Sequence, residues 1–255
     1  MRPVVITRPA AQASAFVARL NESACTAHLF PLLDIQPLED TTLLQARLGN
    51  LSDYALVVFV SPNAIDAAFA HINSWPPEVI AAVVGEGSRL ALARHGVTDK
   101  NATIVSPRDK HQTDSETLLM ELDLNALRGK NVLIVRAETG RELLADQLRS
   151  AGIEVDQIAA YRRLAPVLDA DKQAALIKLI SERNDWVITS SEGLRLLQDM
   201  LEQSAIEDGW LKMCEKSLIV PHKRIEQTAR SLGFRHIILC GSGDEAIYAA
   251  IQSRT

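Results

Sequence analysis

Short apolar runs alternate with amphipathic stretches along the chain, most clearly in its middle. The β-branched run Val132–Val135 predicts a buried strand. Thr139 and Glu142 have the T-x-x-E spacing of a capping box, which predicts that a helix begins there, and Gly152 predicts where it ends. A second strand is predicted at 154–161. The pattern is typical of a β-α-β unit.

The same alternation continues through the rest of the chain. Val4–Thr7 predicts the opening strand, and Pro37 marks segment 34–40 as an edge strand or a connector. The helix after the opening strand has an apolar face formed by Ala13, Phe16, Val17 and Leu20. Further strands are predicted at Leu29–Ile35, Tyr54–Val60, Val79–Val84, Thr103–Ser106, Trp186–Thr189, Leu218–Val220 and Ile237–Cys240. Helices are predicted at 42–51, from Pro62 onward, at 89–95 and at 113–124.

Four turn signals recur in the same order in both halves of the chain. Val132–Arg136 echoes Val4–Arg8, Trp186–Gly193 echoes Val57–Ala64, Leu218–Pro221 echoes Ala82–Gly85, and the cap spacing at Ser242 and Glu245 echoes that at Thr113 and Glu116. Arg8 and Ser61 are 53 positions apart, and Arg136 and Ser190 are 54 apart. We therefore predict an α/β fold of two similar lobes from a duplicated unit, each a parallel sheet flanked by helices. Chance recurrence within an ordinary alternation is the alternative.

Composition narrows the class of protein. The chain has 255 residues, 47% of them apolar, which suffices for one large domain or two small ones. A net charge of −5 without a basic tail argues against nucleic-acid binding. No run of about 18 apolar residues predicts a membrane span, and no signal peptide precedes the first strand. The cysteines Cys25, Cys214 and Cys240 are widely spaced, which fits buried thiols in a reducing cytoplasm.

The predicted strands end in small, hydroxylated or basic residues. These are Arg8, Ser61, Gly85–Ser88, Arg136, Ser190–Gly193, Pro221–Lys223 and Gly241–Gly243. Ligands of parallel sheets lie outside the carboxyl ends of the strands, where helix N-termini favour anions. The pattern indicates one broad anion site or several small ones. Helix capping alone is the alternative for each serine and glycine.

Two arginines and one tyrosine at these ends allow two interpretations each. Arg8 and Arg136 precede helices, where a basic charge opposes the helix dipole, so we expect an anionic partner. That partner is either a ligand or an Asp or Glu of the same chain. Tyr161 could donate its phenol proton to a leaving hydroxyl, or it could be an amphipathic residue at a lobe junction.

Motifs of other enzyme classes do not fit their context. Gly241–Ala246 matches G-x-G-x-x-A, but no strand or ribose-binding acid follows, so the dinucleotide fingerprint is rejected. The sequence has no phosphate-binding G-x-x-x-x-G-K and no G-x-S-x-G nucleophile elbow. The six histidines are scattered, so we predict no metal site.

In these residues the chain resembles the uroporphyrinogen-III synthase family over nearly its whole length. The resembling segments are 6–9, 30–31, 59–64, 83–85, 115–116 with 118–119, 132–136, 140–142, 161–162, 189–190 and 220–221. No single segment is specific, but their order along the chain agrees with the family.

The resemblance implies a crossed connectivity that the periodicity did not indicate. Lobe 1 is expected to combine residues 1–36 with 165–255, and lobe 2 to comprise 39–157. A two-stranded β-ladder formed by 33–38 and 158–164 is expected to join them.

The resemblance also implies a function, namely a lyase reaction of heme biosynthesis. The family cyclises hydroxymethylbilane to uroporphyrinogen III, with loss of water and inversion of ring D, and uses no metal and no cofactor. Tyr161 matches the usual candidate acid or orienting group. The substrate carries eight carboxylates and is expected in an inter-lobe cleft, bound by Arg8, Ser61, Ser88, Arg136, Arg141, Ser190 and Lys223.

One turn departs from the family pattern. Where the family often has hydroxyl residues after a Gly-Pro pair, this chain has Val220-Pro221-His222-Lys223. Lys223 is therefore expected to hold a carboxylate as a point charge and not through a hydroxyl group. The rival hypothesis is a non-catalytic two-lobed module that binds an anionic ligand. A cytoplasmic monomer without nucleic-acid or membrane partners is the expected state.

Overall fold

The computed structural model describes residues 2–109, 114–204 and 206–254. Its strands are β1 (Val4–Ile6), β2 (Ala27–Leu29), β3 (Asp34–Pro37), β4 (Leu56–Phe59), β5 (Ile80–Val83), β6 (Ile104–Val105), β7 (Asn131–Ala137), β8 (Glu154–Leu164), β9 (Asp185–Val187), β10 (Ser217–Val220) and β11 (His236–Leu239). Its helices are α1 (Ala10–Glu22), α2 (Thr42–Leu48), α3 (Pro62–Phe69), α4 (Glu86–Arg94), α5 (Ser115–Glu121), α6 (Leu124–Leu127), α7 (Leu143–Ser150), α8 (Ala170–Ser181), α9 (Ser191–Gln203), α10 (Gly209–Cys214), α11 (Lys223–Ser231) and α12 (Asp244–Gln252).

The chain divides into two compact units. Unit 1 contains residues 1–34 and 164–255, and unit 2 contains residues 35–163. The boundaries therefore fall inside β3 and at the end of β8. The segments expected to form a connecting ladder lie on these two strands, and that connecting role stays a prediction.

Each unit is built on one sheet. In unit 1 the strand order is β11-β10-β9-β1-β2, and neighbouring strands run parallel. The six-stranded sheet has the order β3-β8-β7-β4-β5-β6, with parallel pairing from β8 to β6. The prediction of an α/β fold with parallel sheets flanked by helices is confirmed.

Both sheets are covered on both faces. In β1, Val5 contacts one apolar cluster, whereas Val4 and Ile6 belong to the cluster on the opposite face. In β4, Val57 and Phe59 pack on one side of the sheet, and Leu56 and Val58 pack on the other. Parallel sheets require this double cover, which explains the continuous apolar runs in the sequence.

Local end signals were correct where a serine or a glycine acts alone. Ser61 is the N-cap of α3, and its Oγ accepts from the Ala64 N–H. Ser190 caps α9 in the same way, through the Gly193 N–H. Gly96 and Gly152 follow α4 and α7 with positive φ angles of 81° and 79°.

Both predicted capping boxes within the described residues are wrong. Helix α7 begins at Leu143 after Glu142, without a side-chain cap, because the Glu142 carboxylate contacts Arg136 and Gln157 instead. Helix α12 follows Gly243 without a side-chain cap, and Glu245 pairs with Arg19. In both cases a guanidinium competes successfully for the carboxylate.

Two other predicted elements have different limits. The cap predicted at Thr113 lies outside the described residues, and α5 is capped by Asp114, which accepts from the Thr117 N–H. The run Leu29–Ile35 is not one strand, because β2 and β3 are separated by the buried Phe30 and Leu32, which pack in the core of unit 1. No helix within the described ranges combines the length and apolarity needed to cross a membrane.

Candidate functional site

Tyr161 and Ser61 are two predicted site residues that contact each other at the carboxyl ends of the unit 2 strands. The Tyr161 hydroxyl lies 3.0 Å from Ser61 Oγ. Ser61 follows β4, Tyr161 lies in β8, and β7 runs between them. The register partner of Tyr161 is Ala137, whose small side chain leaves room for the phenol to reach across β7. The sequence predicts both as site residues but contains no signal for their contact.

A register irregularity fixes the position of Tyr161. The pairing of β7 with β8 shifts between Arg136 and Ala137, and the Glu138 N–H donates to the Tyr161 carbonyl at 2.9 Å. Such bulges re-aim side chains at the ends of sheets. The tyrosine is 6% exposed, and its ring lies in the apolar cluster that includes Phe59 and Ile65. The aromatic ring is therefore held by packing, and its hydroxyl faces a polar neighbour.

Arg136 is buried within a polar cluster of its own unit. Its Nη1 donates to the Glu142 carboxylate and, at 2.6 Å, to Gln157 Oε1. Gln157 Nε2 in turn donates to Glu142 Oε2 at 2.6 Å. Hydrogen bonds from Gln157 and from Arg136 lower the pKa of Glu142. Of the two partners predicted for Arg136, a ligand or an acidic residue of the same chain, the structure has the acidic residue, Glu142.

A glycine allows the Arg136 side chain to take this position. A Cβ atom at Gly140 would lie 2.8 Å from Arg136 Nη2, closer than ordinary packing permits.

Arg141, the next residue, is half-exposed and donates from Nη1 to the Glu116 carboxylate at 3.2 Å. The hydrogen bond from Arg141 lowers the pKa of Glu116.

Ser88 is the least accessible of the predicted binding residues. It is 2% exposed and lies in the first turn of α4, where its N–H donates to the Gly85 carbonyl at 3.1 Å. A Cβ atom at the adjacent Gly87 would lie 3.7 Å from the Pro62 ring of α3, so the starts of α3 and α4 lie side by side.

Arg8 occupies the carboxyl end of β1 in unit 1. Its Nη1 donates to Asp244 Oδ1 at 2.6 Å, and its guanidinium lies 5.1 Å from the Phe16 ring centroid. Within the described residues, Nε and Nη2 are buried and have no hydrogen-bond partner. Buried donors without partners are costly, and they are a feature of sites that await a ligand.

The neighbouring strand ends of unit 1 bring Ser190 and Lys223 to the same edge of the sheet. Strands β9 and β10 follow β1 in the sheet order, so their carboxyl ends lie at the same edge as that of β1. Ser190 Oγ accepts from the Gly193 N–H at 3.2 Å. Lys223 is the exposed first residue of α11. This edge presents a guanidinium, a hydroxyl and an ammonium group.

The sequence did not predict three partners of the arginines. Asp244, Gln157 and Glu116 each bind a predicted arginine, but Glu116 was predicted only as a capping residue and the other two had no predicted role. For Asp244 the available signal was its place in the first turn of a helix, where acidic residues are favoured for the dipole. For Gln157 the alternation of β8 gave no signal for its partner.

Comparison with known proteins decides the family. The model of the family described as uroporphyrinogen-III synthase HemD matches residues 14–242. The chain belongs to the uroporphyrinogen-III synthase family. The uroporphyrinogen-III synthases of Escherichia coli and Salmonella typhimurium are 31% and 32% identical to it over 98% of this chain and 99% of theirs.

Solved structures of uroporphyrinogen-III synthases share the fold. The Helicobacter pylori protein gives a TM-score of 0.62 at 16% identity and covers 100% of both chains. A mutant of the Thermus thermophilus protein gives the same TM-score at 11% identity, covering 98% of both chains. At these identities the likeness concerns the fold, and it agrees with the resemblance found in the sequence.

Proposed function

We propose that this chain is a lyase of heme biosynthesis that cyclises hydroxymethylbilane to uroporphyrinogen III. The reaction releases water and inverts ring D. The whole-length similarity to uroporphyrinogen-III synthases carries this proposal, because it spans 98% of this chain and 99% of the Escherichia coli relative. A non-catalytic module that binds anions is not favoured by this similarity. We propose that the reaction needs neither a metal nor a cofactor.

The substrate carboxylates explain the donors of unit 1. The Nε and Nη2 atoms of Arg8 are buried donors without partners in the described part of the chain, and a carboxylate would accept from both in the forked geometry that guanidinium favours. Ser190 and Lys223 extend the same edge with a hydroxyl and a point charge. Local positive potential is compatible with a net charge of −5, because binding depends on the field at the edge.

The donors of unit 2 are also proposed to bind substrate carboxylates, although two of them already have partners within the chain. Arg136 and Arg141 each contact an internal carboxylate, so a substrate carboxylate must displace or share that partner. The exposed Arg141–Glu116 pair is the easier to open, because ion pairs near solvent contribute little to stability. Ser61 is half-buried at the same edge. Ser88 is expected to contribute least because it is almost fully buried.

Tyr161 is the proposed acid for the first chemical step. Its phenol proton passes to the hydroxyl oxygen of the hydroxymethyl group as the carbon–oxygen bond breaks, so water leaves and a cationic azafulvene forms. The phenolate regains a proton when the terminal pyrrole loses its α-proton on ring closure. Conformational control must do the rest, since uncatalysed closure gives the uninverted isomer.

The architecture of the protein is proposed to result from duplication. This is supported by strand order, because β2-β1-β9-β10-β11 in unit 1 corresponds to β8-β7-β4-β5-β6 in unit 2. The same correspondence was found among the turn signals of the sequence. Lobe 1 is proposed to combine residues 1–36 with 165–255, and lobe 2 to comprise 39–157. The segments 33–38 and 158–164 are proposed to connect the two lobes.

One assay separates the enzyme from the binding module. Freshly prepared hydroxymethylbilane is mixed with the protein, and the products are oxidised and resolved as porphyrin isomers. The type III isomer is expected in excess over the type I isomer that forms in buffer. If only the type I isomer forms, at the rate measured in buffer without protein, the enzyme hypothesis is wrong and the binding module remains.

We further propose that the protein is a cytoplasmic monomer that binds no nucleic acid. Light scattering would check the oligomeric state, and a DNA-binding assay would check the nucleic-acid binding.

A further inference from the structure

We infer that Ser61 is a positioning residue that directs the phenol proton of Tyr161 toward the leaving hydroxyl. This inference rests on the proposed function and assigns Ser61 a role other than holding a carboxylate. It starts from the 3.0 Å contact between Ser61 Oγ and the Tyr161 hydroxyl.

The capping role of Ser61 limits how its hydroxyl is used. The oxygen already accepts from the Ala64 N–H at 3.1 Å. A serine hydroxyl has one proton and two acceptor sites, so Ser61 keeps one proton to donate. Accepting a hydrogen bond strengthens the hydroxyl as a donor, because hydrogen bonds in a chain polarise one another. In the chain that we infer, the Ala64 N–H donates to Ser61 and Ser61 donates to the Tyr161 oxygen.

This direction leaves the Tyr161 proton available for chemistry. When Ser61 donates to the phenol oxygen, the phenol O–H must point to another acceptor, and the leaving hydroxyl of the substrate is that acceptor. When the proton leaves, negative charge develops on the phenol oxygen. The Ser61 O–H and the positive end of α3 then stabilise that charge, and both are in place before the reaction.

Packing holds both Ser61 and Tyr161 in place. Tyr161 is 6% exposed among the apolar side chains around Phe59, and its backbone is fixed by the shifted register of β8. Ser61 has extended backbone with Pro62 at the first helical position, which fixes the entry into α3. Neither group needs to reorganise when the substrate arrives.

Three substitutions of Ser61 separate positioning from capping. Ser61→Thr keeps the cap and the hydroxyl, so it is the conservative variant and its kcat should exceed that of Ser61→Ala. Ser61→Ala removes both, and kcat is expected to fall about tenfold or more. Ser61→Asp keeps the cap but offers only an acceptor, so the phenol proton turns toward position 61. We expect its kcat to fall at least as far as that of Ser61→Ala, with a melting temperature near the wild-type value.

Two controls complete the experiment. Asp169→Ala removes the N-cap of α8, which accepts from the Lys172 N–H at 2.8 Å, and should lower the melting temperature while leaving kcat unchanged. In a Tyr161→Phe background, Ser61→Asp should lower kcat no further, because the two residues act as a unit. An added loss there would assign the effect to repulsion of the substrate and overturn the inference.

The outcomes are distinct from those of the proposed function. If the wild-type protein forms the type III isomer and Ser61→Asp turns over at the wild-type rate, the positioning role is wrong and the proposed function stands. If the wild-type protein forms only the type I isomer, both fall together.

Discussion

Arg8 Nη1 donates to Asp244 Oδ1 at 2.6 Å, across 236 positions of sequence. The contact joins the carboxyl end of β1 to the first residue of α12 and occupies only one side of the guanidinium. The remaining donors, Nε and Nη2, are buried and have no partner among residues 2–109, 114–204 and 206–254. We propose that Asp244 orients the guanidinium and that the Nε and Nη2 donors of Arg8 bind an anion.

Arg8→Lys should raise KM for hydroxymethylbilane about tenfold, which corresponds to about 1.4 kcal/mol of binding free energy. Lysine keeps the charge but loses the planar fork that receives a carboxylate. Steady-state kinetics measure the change. The matched control is Arg19→Lys, because Arg19 of α1 likewise pairs with an acidic residue of α12, Glu245, at 2.9 Å. Equal KM values in the two variants would contradict the assignment of Arg8.

Tyr161→Phe should lower kcat about tenfold or more, because it removes the proton of the proposed acid. The ring packing is retained, and Ser61 still caps α3, so the melting temperature should change little. Tyr54→Phe is the control, since its hydroxyl donates to Asp156 at 2.7 Å in another part of the unit. Unchanged turnover in Tyr161→Phe would return that residue to a structural role.

Stability should decline at alkaline pH through Tyr54. Burial, together with the hydrogen bond and charge of Asp156, raises the pKa of Tyr54 to about 12. In the unfolded chain tyrosine ionises near pH 10, so between about pH 10 and 12 only the unfolded state loses the proton and the free energy of unfolding decreases. Denaturant titrations should show a shallower decline for Tyr54→Phe. Identical slopes would refute the shift.

Gly140→Ala should displace the guanidinium of Arg136. The added Cβ atom would lie 2.8 Å from Nη2, and the flexible end of the arginine side chain would move. We expect loss of the 2.6 Å contact with Gln157 and a higher KM, with a modest loss of stability of about 1 kcal/mol. Gly87→Ala, whose Cβ would meet Pro62 at an ordinary 3.7 Å, should keep its melting temperature. A crystal structure of Gly140→Ala with Arg136 unmoved would disprove the displacement.

Sequence patterns predicted the elements whose causes are local. The strands β4 and β7 follow from β-branched runs, and the caps at Ser61 and Ser190 follow from one side chain bonding three residues ahead. The family resemblance added the crossed connectivity, which periodicity alone did not contain. The positions of Ser61 and Tyr161 were predicted, whereas their contact depends on the register shift at Ala137.

Predictions failed where a group outside the local motif competes for a side chain. Glu142 and Glu245 have the spacing of capping residues, but Arg136 and Arg19 bind their carboxylates. The bond to guanidinium joins two full charges, and the T-x-x-E or S-x-x-E motif does not include the arginine. The arginines were predicted to need an anion, and only the fold shows that the chain supplies one of its own.

The strand order β2-β1-β9 has a consequence for biosynthesis. β1 leaves the ribosome early, yet its hydrogen-bonded neighbour β9 begins only at Asp185. Residues 35–163 contain a complete set of strands and can collapse while translation continues. Strand β1 can pair with β2 at once, but its other edge, which pairs with β9, stays open until residues 185–187 emerge. Chaperone binding to nascent chains should therefore be strongest at the segment that contains β1.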